Sequence, residues 1–199
     1  MHLVRIIYRN LFKGTLCTRA TVVPLQDAVH VKITVARSWD IRPGQYIYLW
    51  IPGISFWSFL QSHPFMVAWW TDDEEHKARI ITLLVKIEAG FTRNLTRYTN
   101  NIFRVGIDGP YGKATDFGQY GSVMMIATGI GVAGQTPHIR ALLKGHKARK
   151  TVTRRVHLVW QLERECEPPV PLRYSLAYNI QVIKNGWAIG WTSYWTRMS

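Results

Sequence analysis

Residues Val123 to Pro137, V-M-M-I-A-T-G-I-G-V-A-G-Q-T-P, constrain this chain more than any other stretch. The apolar run Val123 to Ala127 predicts a buried strand, and Thr128-Gly129 breaks it. A helical pattern follows, with Ile139, Leu142 and Leu143 spaced to share one face. Glycines let a backbone approach an anion closely, and the first turn of a helix offers unpaired N–H groups and partial positive charge. Strand, glycine turn and helix together form a phosphate cradle. Gly129, Gly131 and Gly134 match G-x-G-x-x-G. A tight turn inside a buried βα unit satisfies the same residues, so the motif alone leaves both readings open. Val156 to Trp160 reads as a second buried strand, which makes the region a parallel crossover unit.

Upstream the period changes to two. Val29, Val31, Ile33 and Val35 alternate with His30, Lys32 and Thr34, as in a half-buried strand. Arg42-Pro43-Gly44-Gln45 is a turn. Tyr46 to Ile51 reads as the next strand, ended by Pro52-Gly53. Phe65 to Trp70, Ala78 to Ile87 and Arg104 to Ile107 read as three more. Asp72 to Glu75 predicts an exposed hairpin loop and not a metal site, because contiguous acids lack paired ligands elsewhere. Short strands separated by turns predict an antiparallel barrel. In Gly90 to Tyr98, Thr92 is the expected helix N-cap, Leu95 and Tyr98 face the core, and Arg93 stands beside the helix start. Asp116 to Gly121 is a polar linker, which places a domain boundary near residues 113–121. Cys166 to Pro171, with three prolines, excludes a helix or a central strand. Ile180 to Ile183 reads as a strand, and the last tryptophans show no period.

Charge is lopsided: 25 Lys+Arg against 12 Asp+Glu, a net +13. Anionic partners are favoured, be they phosphate cofactors, acidic membrane surfaces or nucleic acid. Arg140, Lys144, Lys147, Arg149, Lys150, Arg154 and Arg155 crowd the far end of the βα unit. These bases do not alternate with aromatics in a nucleic-acid-binding motif, so no nucleic-acid partner is expected. Residues 3–13 combine Arg5, Arg9 and Lys13 with large apolar side chains; an interfacial helix on an anionic membrane and a first packed segment both fit. Cys17 and Cys166 form no C-x-x-C pair and no disulfide framework, which points to a reducing compartment. No apolar run reaches the roughly 18 residues of a membrane-spanning helix. No Ser-His-Asp or Cys-His arrangement is present, and no catalytic side chain or metal-ligand set is expected.

Four motifs add to this pattern: Gly44-Gln45-Tyr46-Ile47-Tyr48-Leu49, His63-Pro64-Phe65, Gly109-Pro110-Tyr111-Gly112 and Ala127-Thr128-Gly129-Ile130-Gly131. In this order and spacing the chain resembles the flavin- and nicotinamide-binding half of the ferric reductase and NADPH oxidase family, most closely its fungal iron and copper reductases. The resemblance runs from about Leu3 to about Glu165. It implies a two-domain α+β chain: an antiparallel six-stranded FAD-binding β-barrel of the ferredoxin-reductase type, then an incomplete Rossmann-like α/β domain. The expected division is a juxtamembrane-like segment at 1–14, the barrel at 15–115, the partial NADP-binding domain at 116–165 and an atypical segment at 166–199.

The resemblance also implies site residues. His63 would face the phosphate or ribityl chain of FAD, with Pro64 beside it, and Phe65 would pack on the isoalloxazine ring. Met66 stands where the family often has Ser or Thr, and it cannot donate a hydrogen bond to the flavin. Gly90, Phe91, Thr92 and Arg93 would take the FAD pyrophosphate. Gly109, Pro110, Tyr111 and Gly112 would lie where nicotinamide meets flavin. Thr128, Gly129 and Gly131 would hold the NADPH pyrophosphate. Glu163 favours a free ribose hydroxyl and Arg164 a 2′-phosphate; the family and the basic surface favour NADPH, hence Arg164. Cys166 is followed by Glu167 and does not match the family's Cys-Gly motif. The implied activity is NADPH-dependent ferric-chelate reduction through FAD. The implied partners are a haem-bearing membrane domain and a small metal chelate, at the cytosolic face of the plasma membrane. The lapse of the resemblance near residue 165 suggests a truncated product. A flavin-binding remnant without catalysis is the alternative, and a basic nucleic-acid-binding protein a third.

Overall fold

A computed structural model describes residues 10, 17–25, 28–52, 62–98, 101–162, 180–184 and 187–189. The chain divides into two compact units, Met1–Ala114 and Thr115–Ser199.

The first unit is a curled antiparallel sheet. Its strands are β1 (Arg19–Pro24), β2 (Ala28–Trp39), β3 (Tyr46–Trp50), β4 (His63–Asp72), β5 (Ala78–Lys86), β6 (Ile102–Arg104) and β7 (Gly106–Tyr111), in the order β6-β1-β2-β5-β4-β3-β7. The alternation read from Val29 to Val35 holds in β2, where Val29, Val31, Ile33 and Val35 are buried. With Ile47, Leu49, Ile81, Leu83 and Ile107 they build the core. Register shifts between Thr34 and Trp39, Tyr46 and Tyr48, and Val67 and Trp69 bend the strands, because each extra residue locally raises twist. The acidic hairpin forms between β4 and β5. The Asp73 N–H donates to the Lys77 carbonyl at 2.7 Å, and the Asp73 carboxylate accepts from the Glu75 and Lys77 N–H groups at 3.0 and 2.9 Å.

Two expectations change here. The sheet has seven strands, not six. The segment expected as one strand at Arg104–Ile107 is two, split at Val105: β6 pairs with β1 and β7 pairs with β3. The two edges of the sheet are therefore one residue apart along the chain. Strand β1 is also an addition; its apolar signal is Ala20, Val22 and Val23, the first two buried, with Arg19 and Pro24 at its ends. Beyond β7, the carboxamide of Asn10 occupies the strand's outer side. Its Nδ2 donates to the Ile107 carbonyl at 2.7 Å and its Oδ1 accepts from the Ile107 N–H at 2.8 Å. One side chain thus stands in for a neighbouring strand.

The helix after β5 is short, α1 (Phe91–Leu95), continued by a 3-10 turn at Thr96–Tyr98. Its N-cap is Gly90, at φ 75°, and not the expected Thr92. Asn94 N–H donates to the Gly90 carbonyl at 3.0 Å, which starts the helix at Phe91. The Thr92 hydroxyl reaches back to accept from the Glu88 N–H at 2.9 Å, so it ties the incoming chain to the first turn instead. Leu95 is fully buried, as its spacing implied; the Tyr98 side chain lies outside the described residues.

The second unit holds β8 (Ser122–Thr128), a 3-10 turn at Gly129–Gly131, α2 (Val132–Lys147), β9 (Arg155–Leu162), β10 (Ile180–Lys184) and β11 (Trp187–Ile189). The strand order is β11-β10-β9-β8. β8, β9 and β10 are parallel, and β11 is antiparallel to β10. Ile139 and Leu142 of α2 are buried against Val123, Met125, Ala127, Leu158 and Trp160, with Leu143 at the margin. β8 is not the wholly buried strand its apolar run suggested. Val123, Met125 and Ala127 point to the core, whereas Met124 and Ile126 are 67% and 66% exposed. The reason is that α2 covers only one face of the sheet among the described residues.

Candidate cofactor sites

In the first unit, three of the four motifs occupy adjacent strands. Gly44-Gln45 leads into β3, His63-Pro64-Phe65 opens β4, and Gly109-Pro110-Tyr111 ends β7, with β3 between the other two. Gln45 links them, since its carbonyl accepts from the Val67 N–H at 3.1 Å and its side-chain Nε2 donates to the Gly112 carbonyl at 3.5 Å. The period of two sorts the side chains. Phe65 and His63 lie opposite Ile47 and Leu49, on the core side; Met66 and Pro64 lie opposite Tyr46 and Tyr48, on the outer side.

Phe91 joins the core-side pair. Its ring stacks on His63 with centroids 4.1 Å apart and lies 6.3 Å from Phe65. The motif around Gly90 thus meets the motif around His63, although 27 residues separate the two glycine- and histidine-led segments only along the chain and not in space. Burial shifts the His63 imidazole below its ordinary pKa of 6.5, favouring the neutral ring. Its Nε2 is buried without a hydrogen-bond partner among the described residues. A buried ring nitrogen left in this way is costly in isolation and suits a ligand atom. Pro64 and Met66 are exposed, and Arg93 extends from the exposed side of α1.

On the outer side, Tyr46, Tyr48 and Tyr111 form a second aromatic group with centroids 5.7 to 5.8 Å apart. The Tyr111 hydroxyl donates to Asp108 Oδ2 at 2.5 Å, and Asp108 is buried. Gly109 (φ 137°) and Gly112 (φ 95°) hold backbone conformations that favour glycine. A Cβ at Gly109 would also stand 3.2 Å from both Ile47 Cγ2 and the Tyr46 carbonyl. Pro110 follows Gly109 through a cis peptide bond.

In the second unit, Thr128 closes β8 and the glycine turn runs straight into α2. Gly129 has φ 47°. Gly131 has an ordinary helical φ of −58°, and a Cβ there would meet nothing within 4 Å. Gly134, inside the helix, is equally open. Neither conformation nor packing within the protein requires glycine at 131 or 134, yet a helical Gly costs about 1 kcal/mol against Ala. What these glycines preserve is room beside the helix start. No side chain caps α2, and no acid lies in its first turn, so its leading N–H groups lack a side-chain acceptor. Pro137 cannot donate to the Ala133 carbonyl; the Thr136 hydroxyl does so at 3.1 Å.

Trp160 completes this site and was not among the expected residues. Parallel register sets it opposite Ala127, and its indole Nε1–H donates to the Gly129 carbonyl at 2.8 Å. The signal available in the sequence was a tryptophan at the C-terminal end of the strand that neighbours the glycine turn. Arg164, with Glu163 and Cys166, lies outside the described residues. Among the described residues no group of His, Cys, Asp and Glu could hold a metal ion, and no helix is long and apolar enough to cross a membrane.

Known protein families match both units. A model of a FAD-binding domain matches residues 12–115, and a model of a ferric reductase NAD-binding domain matches residues 120–166. The "probable cell surface ferric reductase kap2" of Aspergillus oryzae is 32% identical over 154 residues, covering 70% of this chain and 19% of that protein. The ferric/cupric reductase transmembrane component 2 of Saccharomyces cerevisiae is 31% identical over 117 residues, covering 54% and 16%. The chain thus spans less than a fifth of the length of either relative. Among solved structures, an NADH-dependent reduced ferredoxin-NADP oxidoreductase superposes with a TM-score of 0.66 at 18% identity, over 89% of this chain and 60% of that one. At that identity the likeness concerns the fold.

Proposed function

The chain belongs to the FAD-binding domain family, and on that premise we propose that it is the reductase module of a ferric-chelate-reductase-type flavoprotein, using NADPH as donor. The first unit serves as the FAD-binding domain, its curled seven-stranded sheet standing where a six-stranded barrel was expected. The second serves as a Rossmann-like nucleotide-binding unit. When bound, FAD supplies the conversion of a hydride from NADPH into single electrons for an acceptor.

The residues at hand fit both groups. His63 offers its unpartnered Nε2 to the ribityl or phosphate part of the flavin, and Phe65 offers an aromatic face beside Phe91. Pro64 and Met66 line the exposed side of the same strand; Met66 contributes contact but no hydrogen bond. The backbone of Gly90 to Thr92 and the guanidinium of Arg93 bind the pyrophosphate. Gly109, Pro110, Tyr111 and Gly112 give a planar ligand a flat approach, with Tyr111 fixed by Asp108. In the second unit, Thr128, Gly129 and Gly131 receive the dinucleotide pyrophosphate, and Arg164 reads the 2′-phosphate. In a longer protein the acceptor would be the haem of a membrane domain, with a metal chelate beyond it, at the cytosolic face of the plasma membrane. This chain alone would reduce only soluble acceptors.

The observation that carries the reading is the empty space kept at Gly131 and Gly134 beside an uncapped helix start. The test is anaerobic addition of NADPH to protein reconstituted with FAD. Bleaching of the yellow absorbance, with ferric citrate reduced on its addition, is expected; protein that stays colourless after FAD is added refutes the reading. A second reading, a flavin-binding remnant that does not react with NADPH, is motivated by the exposed Met124 and Ile126 on the open sheet face. A yellow protein that NADPH leaves yellow would favour it.

A further inference from the structure

Between Asp116 and Glu163 the sequence contains no acidic residue. From Lys147 onward its bases gather at the end of α2 remote from the glycine turn, about 24 Å away along a 16-residue helix. They therefore have no part in holding a pyrophosphate at Gly129. Lys147, Arg149, Lys150, Arg154 and Arg155 are all exposed.

Three features separate this surface from an ordinary solvated basic face. First, the segment is pinned. Val152 N–H donates to the Gly118 carbonyl at 2.8 Å and Arg154 N–H to the Gly121 carbonyl at 2.9 Å. The Thr153 hydroxyl is buried against the Phe117 and Tyr120 carbonyls. Thr151 packs so closely that a Cβ on Gly145 would stand 2.3 Å from its methyl group. With Thr151 and Thr153 turned inward, Lys150, Val152 and Arg154 stand outward in a row.

Second, the apolar members of the surface are exposed: Val152 is 64% and Tyr120 54% accessible. Third, Arg149 has φ 55°, the left-handed position after a helix that glycine fills most cheaply. The Arg149 and Lys150 N–H groups close the helix by donating to the His146 and Gly145 carbonyls at 3.0 and 2.8 Å. A cation is kept there against the backbone's preference, and such outliers accompany function.

We infer that this end of the second unit is a docking surface for a bilayer rich in anionic phospholipid. Cations meet the headgroups while Val152 and Tyr120 enter the interface, the combination by which peripheral proteins bind membranes. An RNA phosphate backbone would satisfy the cations but would give Val152 nothing to bury.

The test is co-sedimentation of the full chain with large unilamellar vesicles of phosphatidylcholine, with and without phosphatidylserine. Binding is expected only with phosphatidylserine, and 0.5 M NaCl should release it. Lys150→Gln and Arg154→Gln should each weaken partitioning about fivefold, and together roughly 25-fold, whereas Lys32→Gln and Arg104→Gln on the first unit should not change it. Arg149→Gly is the sharpest variant, since it relieves the left-handed strain: Tm should rise while vesicle binding falls about fivefold. A purely structural role predicts the rise without the fall. Equal loss from the Lys32 and Arg104 variants, no loss from the patch variants, or retention of single-stranded RNA without any vesicle binding would each overturn the inference.

Discussion

Replacing Trp160 by Phe tests whether the glycine turn is held by its neighbour strand. The indole Nε1–H donates to the Gly129 carbonyl at 2.8 Å from a side chain only 4% exposed. Losing such a bond costs about 1 kcal/mol net, and the missing part of the ring leaves a small cavity worth about another 1 kcal/mol. A total near 2 kcal/mol lowers Tm of a unit this size by roughly 10 °C. The functional share is the hydrogen bond: a turn no longer held at Gly129 should bind NADPH about fivefold more weakly. The assay is NADPH titration of the flavin-loaded protein at a temperature where the variant is folded by circular dichroism. Leu158→Ala is the control. Leu158 lies two residues earlier on β9, fully buried and making no bond to the turn, and its truncation costs 2–5 kcal/mol by the usual range for core Leu. It should melt at least as early yet bind NADPH normally when folded. Equal NADPH affinity for the Phe variant and the wild type, or equal weakening in both variants, would refute the reasoning.

Other outcomes follow from single features. Burial lowers the folded-state pKa of His30, His63 and His138 below 6.5, so the folded protein takes up fewer protons than the unfolded chain. Stability is then fully present above pH 6.5 and declines as pH falls through that value toward the lower folded pKa values; Tm measured from pH 7.5 to 5.5 should drop, and His30→Gln should flatten part of the slope. Asn10→Ala removes both bonds to Ile107 and should cost about 2 kcal/mol in urea unfolding, with faster amide exchange at Ile107. Gly109→Ala must hold a φ of 137° and press on Ile47 and Tyr46, which should cost about 2–3 kcal/mol; Gly90→Ala, with open space and φ 75°, should cost about 1 kcal/mol. Denaturation midpoints of the two variants check that ranking.

The strands with strict alternation were legible because one face meets a core and the other meets water: β2 is the clear case. The acid-rich hairpin was legible from its charge. Less regular signals misled. In β8 five consecutive apolar residues implied burial on both sides, as in most parallel sheets, but helix packing covers only one side among the described residues. At α1 the hydroxyl of Thr92 looked like the cap, while the conformational freedom of Gly90 decided where the helix begins. The motif strands were recognised one by one, but the stacking of Phe91 on His63 joins residues on different elements and leaves no local trace. The same holds for Trp160, whose bond to Gly129 depends on the parallel register.

Val105 has a consequence for how the first unit comes into being. Because β6 and β7 supply opposite edges of one sheet from adjacent stretches of chain, a nascent polypeptide that has emerged only as far as residue 101 lacks both end partners at once. Until about ten more residues leave the ribosome, β1 and β3 each offer an unsatisfied ladder to any passing strand. The join should therefore come late in synthesis, seal both rims in a single event, and leave any shorter product prone to aggregate.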